Sequence, residues 1–141
     1  LMGTKEKTIK IVVLDDSHFY NKLLTKQIEN YTKNIEYDKE YKFTIESYVH
    51  SDDFLRNLKE DIDIAFVDYY LGEGVTGSDM IKQIKKQCKN CKVIIISKAR
   101  NVKTTLDTVS EGAMAFIYKD KNALARACFF VDHIASNKFA S

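Results

Sequence analysis

The chain has 141 residues, 45% of them hydrophobic and 30% charged, the profile of one soluble globular domain with enough apolar side chain for a single core. Its 22 basic and 20 acidic residues leave a net charge of +2, too even a balance for a nucleic-acid footprint. No apolar run approaches a membrane span and no signal-peptide pattern opens the chain, so a cytoplasmic location with no membrane contact is expected.

Residues 1–8 read as a flexible N-terminus, in which Leu1, ahead of Met2, is a candidate cloning remnant. There is no proline, so glycine, Asn and Asp mark the turns. A first strand is predicted over Ile9 to Leu14, followed by a helix opened by Asp16 or Ser17 as N-cap. Tyr20, Leu23, Leu24, Ile28 and Tyr31 keep a three-and-four spacing that gives this helix one apolar stripe. A polar stretch from Thr32 to Glu40 leads to a second strand near Lys42 to Tyr48. Ser51, Asp52 and Asp53 cap a short helix carrying Phe54, Leu55 and Leu58, and the third strand covers Ile62 to Asp68.

Gly72, Gly74 and Gly77 loosen the next loop, before a helix with Met80, Ile81, Ile84 and Cys88 inward. The fourth strand is Val93 to Ser97, followed by a helix over Val102 to Glu111 that Gly112 stops. The fifth strand covers Ala115 to Tyr118 and the last helix Lys121 to Asn137. In that helix Leu124, Ala127, Cys128, Val131, Ile134 and Ala135 share one stripe, and Phe129 points nearly opposite it. Strands alternating with helices at this spacing predict an α/β domain over residues 9–137, with one doubly wound parallel sheet and a tail over 138–141.

Of the three cysteines, Cys88 and Cys91 form a CxxC without the second pair that a zinc ribbon needs. It falls where a helix ends, not at the helix N-terminus that lowers a thiol pKa, so these are read as small buried thiols.

The apolar runs end on chemistry-bearing residues: Asp15 and Asp16, Asp68, Ser97, and Lys119. In a parallel sheet ligands bind outside the carboxyl ends of the strands, so these five side chains should meet on one edge. Clustered carboxylates offer hard oxygen ligands suited to magnesium, and without a cation their mutual repulsion raises at least one pKa. A hydroxyl and an ammonium beside them hold phosphoryl oxygens, and aspartate is itself a nucleophile that forms acyl phosphates.

This set resembles the receiver domain of two-component response regulators: an acidic pair after the first strand, a phosphoacceptor Asp after the third, a hydroxyl after the fourth and Lys after the fifth. Asp68 through Leu71 to Gly77 resembles the D-x-x-L…G segment of the family, and Phe116 stands where the family carries its switch aromatic. The resemblance implies a flavodoxin-like (βα)5 fold and a chemotaxis-regulator-like signalling protein, not a turnover enzyme. It further implies that Asp68 accepts phosphate from a sensor histidine kinase or phosphotransfer protein. Asp15, Asp16, Asp68 and the Tyr70 carbonyl would hold Mg2+, and Ser97 and Lys119 would bind the phosphoryl oxygens. Output would pass through the face of the fourth helix, fifth strand and fifth helix, to a downstream protein or a second copy, with Phe129 as a contact.

Three departures from the family stand out. Asp120 follows Lys119 where proline in a cis bond is usual, so a trans bond and a shifted loop are expected. Lys98 follows Ser97 where a small residue is usual, a candidate modulator of the phosphorylated state. The loop after Asp68 is one residue longer than usual. Two alternatives stay open: an interaction module that keeps the fold without phosphorylation, and a haloacid-dehalogenase-type phosphohydrolase, against which the Asp15-Asp16-Ser17-His18 order and the lack of a cap count. Too few residues follow the last helix for an output domain, which leaves both a stand-alone receiver and a piece of a longer regulator open.

Overall fold

The computed structural model describes residues 7–36 and 41–140. Strands and helices alternate as β1 (Lys7–Leu14), α1 (His18–Glu36), β2 (Tyr41–Tyr48), α2 (Ser51–Arg56), β3 (Ile64–Asp68), α3 (Gly77–Gln87), β4 (Lys92–Ser97), α4 (Val102–Ser110), β5 (Ala113–Tyr118) and α5 (Ala123–Lys138). All strand pairs are parallel, in the order β2-β1-β3-β4-β5. This is the expected doubly wound, flavodoxin-like arrangement. From β1 the chain steps outward to β2, then returns to the far side of β1 for β3. The reversal opens a crevice between the carboxyl ends of β1 and β3, where such sheets bind ligands.

The β-branched runs are buried because helices cover both faces of the sheet. Ile9, Ile11 and Val13 pack with Leu24 and Ile28 of α1 and with Ala127 and Val131 of α5. Val12, Leu14, Ala65 and Val67 face the other way, onto Phe54 of α2 and Met80, Ile81 and Ile84 of α3.

Several boundaries differ from the sequence reading. Lys7 and Thr8 belong to β1 and not to a flexible N-terminus, while residues 1–6 and 141 lie outside the described residues. Helix α1 continues through Thr32 to Glu36, into the stretch read as a polar connection; residues 37–40 of that stretch also lie outside the described residues. Buried Thr32 fits within the helix because its hydroxyl donates to the Glu29 carbonyl at 3.0 Å.

The inward face of α1 is Asn21, Leu24, Ile28 and Thr32, whereas Leu23 is 41% exposed. Asn21 takes an inward place because its amide donates to the carbonyls of Asp15 (3.1 Å) and Tyr48 (2.8 Å), tying the ends of β1 and β2 together. At α2, His50 holds the cap position and Ser51 is already helical, with no side-chain cap bond. Helix α3 carries a capping box that the glycine-rich reading overlooked: Thr76 and Asp79 each accept from the other's backbone N–H.

Helix α4 presents its apolar residues outward. Val102, Leu106 and Val109 are 76%, 65% and 48% exposed, while Thr108 is buried. Thr105 and Thr108 satisfy their hydroxyls on the carbonyls of Asn101 and Thr105, so this threonine face packs inward without an orphaned donor. On α5, Phe129 is exposed as its helical position predicts, and its ring stacks on His133.

Candidate functional site

The parallel register brings the five residues of interest to one edge. Leu14 pairs with Val67, so Asp15 follows β1 level with Asp68 at the end of β3. Asp68 pairs with Ile96, and Ser97 with Tyr118, which sets Ser97 and Lys119 one step beyond. One ligand oxygen each from Asp15, Asp16 and Asp68 lies within 4.8 Å of the others. Asp15 and Asp68 are buried, and Asp16 is exposed.

Lys119 extends into this cluster. Its ammonium lies 2.9 Å from Asp15 and 3.5 Å from Asp68, with a side chain only 4% exposed. Burial pushes the Asp68 carboxyl up to about 7; the charges of Asp15 and Asp16 add to the rise and Lys119 opposes it. Apart from the Lys119 ion pair, Asp15 Oδ2 has no hydrogen-bond partner among the described residues. Three converging carboxyl groups, two of them buried, with the Asp68 pKa raised by burial and by its acidic neighbours, fit a divalent cation with hard oxygen ligands.

Ser17 shapes the entrance to α1. Its backbone N–H donates to Asp15 Oδ1 (2.9 Å), and its hydroxyl accepts from the Tyr20 N–H (3.2 Å), so Ser17 is the cap of the two candidates. The loop after Asp68 forms a small hairpin, with the Leu71 N–H on Val75, the Gly77 N–H on Tyr69 and an antiparallel bridge between Tyr70 and Thr76. None of these bonds uses the Tyr70 carbonyl, which leaves that oxygen free of the hairpin. Gly77 is required by close approach: a Cβ there would lie 3.0 Å from Ile95 Cδ1, 3.2 Å from Tyr69 Cα and 3.3 Å from the Asp68 carbonyl.

Ser97 is fully buried and its Oγ accepts from the Ala99 N–H at 3.2 Å. Phe116 is half-buried against the face covered by α2 and α3. Lys98 is exposed. The bond before Asp120 is trans, as its residue type requires, and Asp120 instead anchors the turn into α5 by accepting from the Asn122 N–H (2.8 Å). Cys88 and Cys91 are buried free thiols; burial raises the Cys91 pKa, consistent with an inert structural role.

Two site contacts escaped the sequence reading. The Lys119 ammonium sits 4.3 Å from the centre of the Tyr20 ring, and the Arg100 guanidinium 4.1 Å from that of Tyr118. The helical spacing places Tyr20 only on an apolar stripe. The available signal was its position in the first turn of a helix entered directly from Asp16, which keeps it at the carboxyl edge.

Residues 11–127 match the response regulator receiver domain family. Among solved structures, the chain is similar to a response regulator receiver domain protein from Clostridium thermocellum (19% identity, TM-score 0.73, 92% of this chain and 96% of that one). It is also similar to a CheY-like receiver domain protein from Methanospirillum hungatei (18% identity, TM-score 0.69, 96% of this chain and all 100% of that one). A third similar structure is a response regulator protein from Burkholderia pseudomallei with a phosphorylated aspartic acid, calcium ion and citrate (15% identity, TM-score 0.67, 93% of this chain and 75% of that one). A search of curated proteins finds no match to the chain. With residues 11–127 of its 141 matched, the chain belongs to the response regulator receiver domain family.

Proposed function

We propose that Asp68 accepts a phosphoryl group from a sensor histidine kinase or phosphotransfer protein in the cytoplasm. The observation that carries this reading is the Asp15–Asp16–Asp68 cluster with the Lys119 ammonium inserted into it. The phosphorylated aspartic acid and the calcium ion of the Burkholderia pseudomallei protein support it by analogy. Asp15, Asp16, Asp68 and the Tyr70 carbonyl would hold Mg2+, which when bound supplies positive charge to the transferring phosphoryl oxygens.

The rest of the chemistry belongs to the chain. The Asp68 carboxylate attacks phosphorus, and the donor's leaving group departs with the electrons of the broken bond. Lys119 pairs with the phosphoryl oxygens that replace the Asp68 charge, and the Ser97 hydroxyl turns from the Ala99 N–H to donate to one of them. That movement frees space for Phe116 and changes the surface of α4 and β5. The outward stripe of Val102, Leu106 and Val109, with exposed Met114 on β5, supplies apolar area there for a downstream protein or a second copy. Phe129 on α5 would extend the contact.

The test is intact mass after incubation with acetyl phosphate and Mg2+. One added phosphate is expected, absent with EDTA and absent in Asp68→Asn. An unchanged mass with donor and Mg2+ in excess would assign the chain to the interaction modules that keep this fold without phosphorylation.

A further inference from the structure

We propose that Tyr20 is a positioning residue for phosphoryl transfer, its ring face holding the Lys119 ammonium on the side that Asp15 and Asp68 leave open. The inference rests on the phosphoacceptor reading of Asp68.

An ammonium carries three N–H donors and no acceptor, and a buried one needs a partner for each. Lys119 is almost entirely shielded from water, with Asp15 at 2.9 Å and Asp68 at 3.5 Å. The Tyr20 ring, 4.3 Å away, lies within cation–π reach of the same nitrogen. The phenol stays neutral, since burial and the charges of Asp15, Asp120 and Asp68 push it up to about 12. It therefore acts on the ammonium through its ring and not through a phenolate charge.

The contact matters because Lys119 must change partners. Before transfer its nearest neighbour is Asp15. Transfer forms a bond from an Asp68 carboxylate oxygen to phosphorus and breaks the bond from phosphorus to the donor's acetate, which leaves with that electron pair. The new phosphoryl oxygens then compete with Asp15 for Lys119. A hydrogen-bond acceptor would fix the ammonium in one direction, but a ring face attracts a cation over a broad area. Lys119 can thus swing toward the phosphoryl group without losing its third partner. An aliphatic side chain at position 20 would fill the space and offer no such attraction.

The experiment compares wild type with Tyr20→Phe, Tyr20→Leu and Tyr20→Met. Phosphorylation rates by acetyl phosphate with Mg2+ are read alongside thermal melts, and the Lys119 Cε proton shifts are read by NMR in the metal-free protein. Tyr20→Phe should keep a rate within about twofold of wild type and keep the upfield ring-current shift. Tyr20→Leu and Tyr20→Met should lose the shift and react roughly 3- to 30-fold more slowly. Tyr20→Met fills the core flexibly, so a slow rate in a variant that melts like wild type separates positioning from folding. Equal rates in active wild type and in both aliphatic variants would overturn this inference alone. An equal loss in Tyr20→Phe would overturn the ring as the group responsible. A wild type that takes up no phosphate would overturn the phosphoacceptor reading together with this one.

Discussion

The Lys119 ammonium lies 2.9 Å from Asp15 and 3.5 Å from Asp68, closer to the carboxylate that is not the proposed phosphoacceptor. One buried cation is thus shared between two buried carboxyl groups. Removing the cation leaves both carboxylates uncompensated. Lys119→Ala should therefore lose about 2–4 kcal/mol of stability in EDTA, measured by urea unfolding. Added Mg2+ should recover part of that loss by restoring positive charge; an unchanged midpoint in EDTA would show that the ion pair contributes nothing.

The raised Asp68 pKa makes metal-free stability depend on pH. Its ordinary value is 3.8 and the folded protein holds it near 7, so the folded state binds this proton more tightly than the unfolded chain. The stabilisation is complete below about 3.8 and is lost as pH rises through about 7. In EDTA the wild type should lose roughly 1–3 kcal/mol between pH 5 and pH 8 from this group, and Asp68→Asn should lose markedly less. Melting temperatures of the two proteins at pH 5 and pH 8 provide the comparison, and parallel curves would contradict it.

Gly77 is confined by three neighbours, two of them backbone atoms that cannot move aside cheaply. Gly77→Ala gains helix propensity at the start of α3, yet the contact with Tyr69 and the Asp68 carbonyl pushes on the end of β3. The clash should prevail by about 1–3 kcal/mol, read as a lower urea midpoint, with slower uptake of phosphate at Asp68. A variant as stable as wild type would mean that the loop relaxes freely.

Lys98 is exposed directly after Ser97. By the proposed phosphoacceptor reading, its long cationic side chain would contact a phosphoryl oxygen on Asp68 and hinder the attacking water. The acyl phosphate of Lys98→Ala should hydrolyse roughly 2- to 5-fold faster, the range of an exposed charge contact. Identical decay of the two phosphoproteins would place the lysine outside the reaction.

The outward stripe of α4 supports a fifth expectation. Leu106 is 65% and Phe129 64% exposed, so replacing either should change the melting temperature little. Burying such a side chain in a contact contributes about 1.5–3 kcal/mol, so Leu106→Asp should weaken phosphorylation-dependent association about 10-fold or more. Phe129→Ala should weaken it less, since its ring is already stacked on His133. Sedimentation with and without beryllofluoride reads self-association, and a pull-down with phosphorylated protein reads partner binding. No response in either assay would remove this face as the output surface.

Much of the molecule was legible as sequence because buried parallel strands write a local signature. The runs ending at Asp15, Asp68, Ser97 and Lys119 need only be apolar and β-branched to become strands. Parallel pairing then sends their ends to one edge, which is why the carboxylate cluster and its lysine could be named in advance. The inward residues of α3 and α5 followed from periodicity for the same reason, since a core face is a repeat along the chain. What remained hidden depends on neighbours distant in sequence. Asn21 of α1 faces inward because Tyr48, at the end of β2, offers it a carbonyl. The threonines of α4 pack inward because their hydroxyls bond back to the helix, which inverts the side that hydrophobicity alone would choose. The Tyr20 ring meets Lys119 across 99 positions of chain only after α1 and the end of β5 have been folded onto the same edge. A strand end can be read from its own residues, but the partner of a buried charge is chosen by packing.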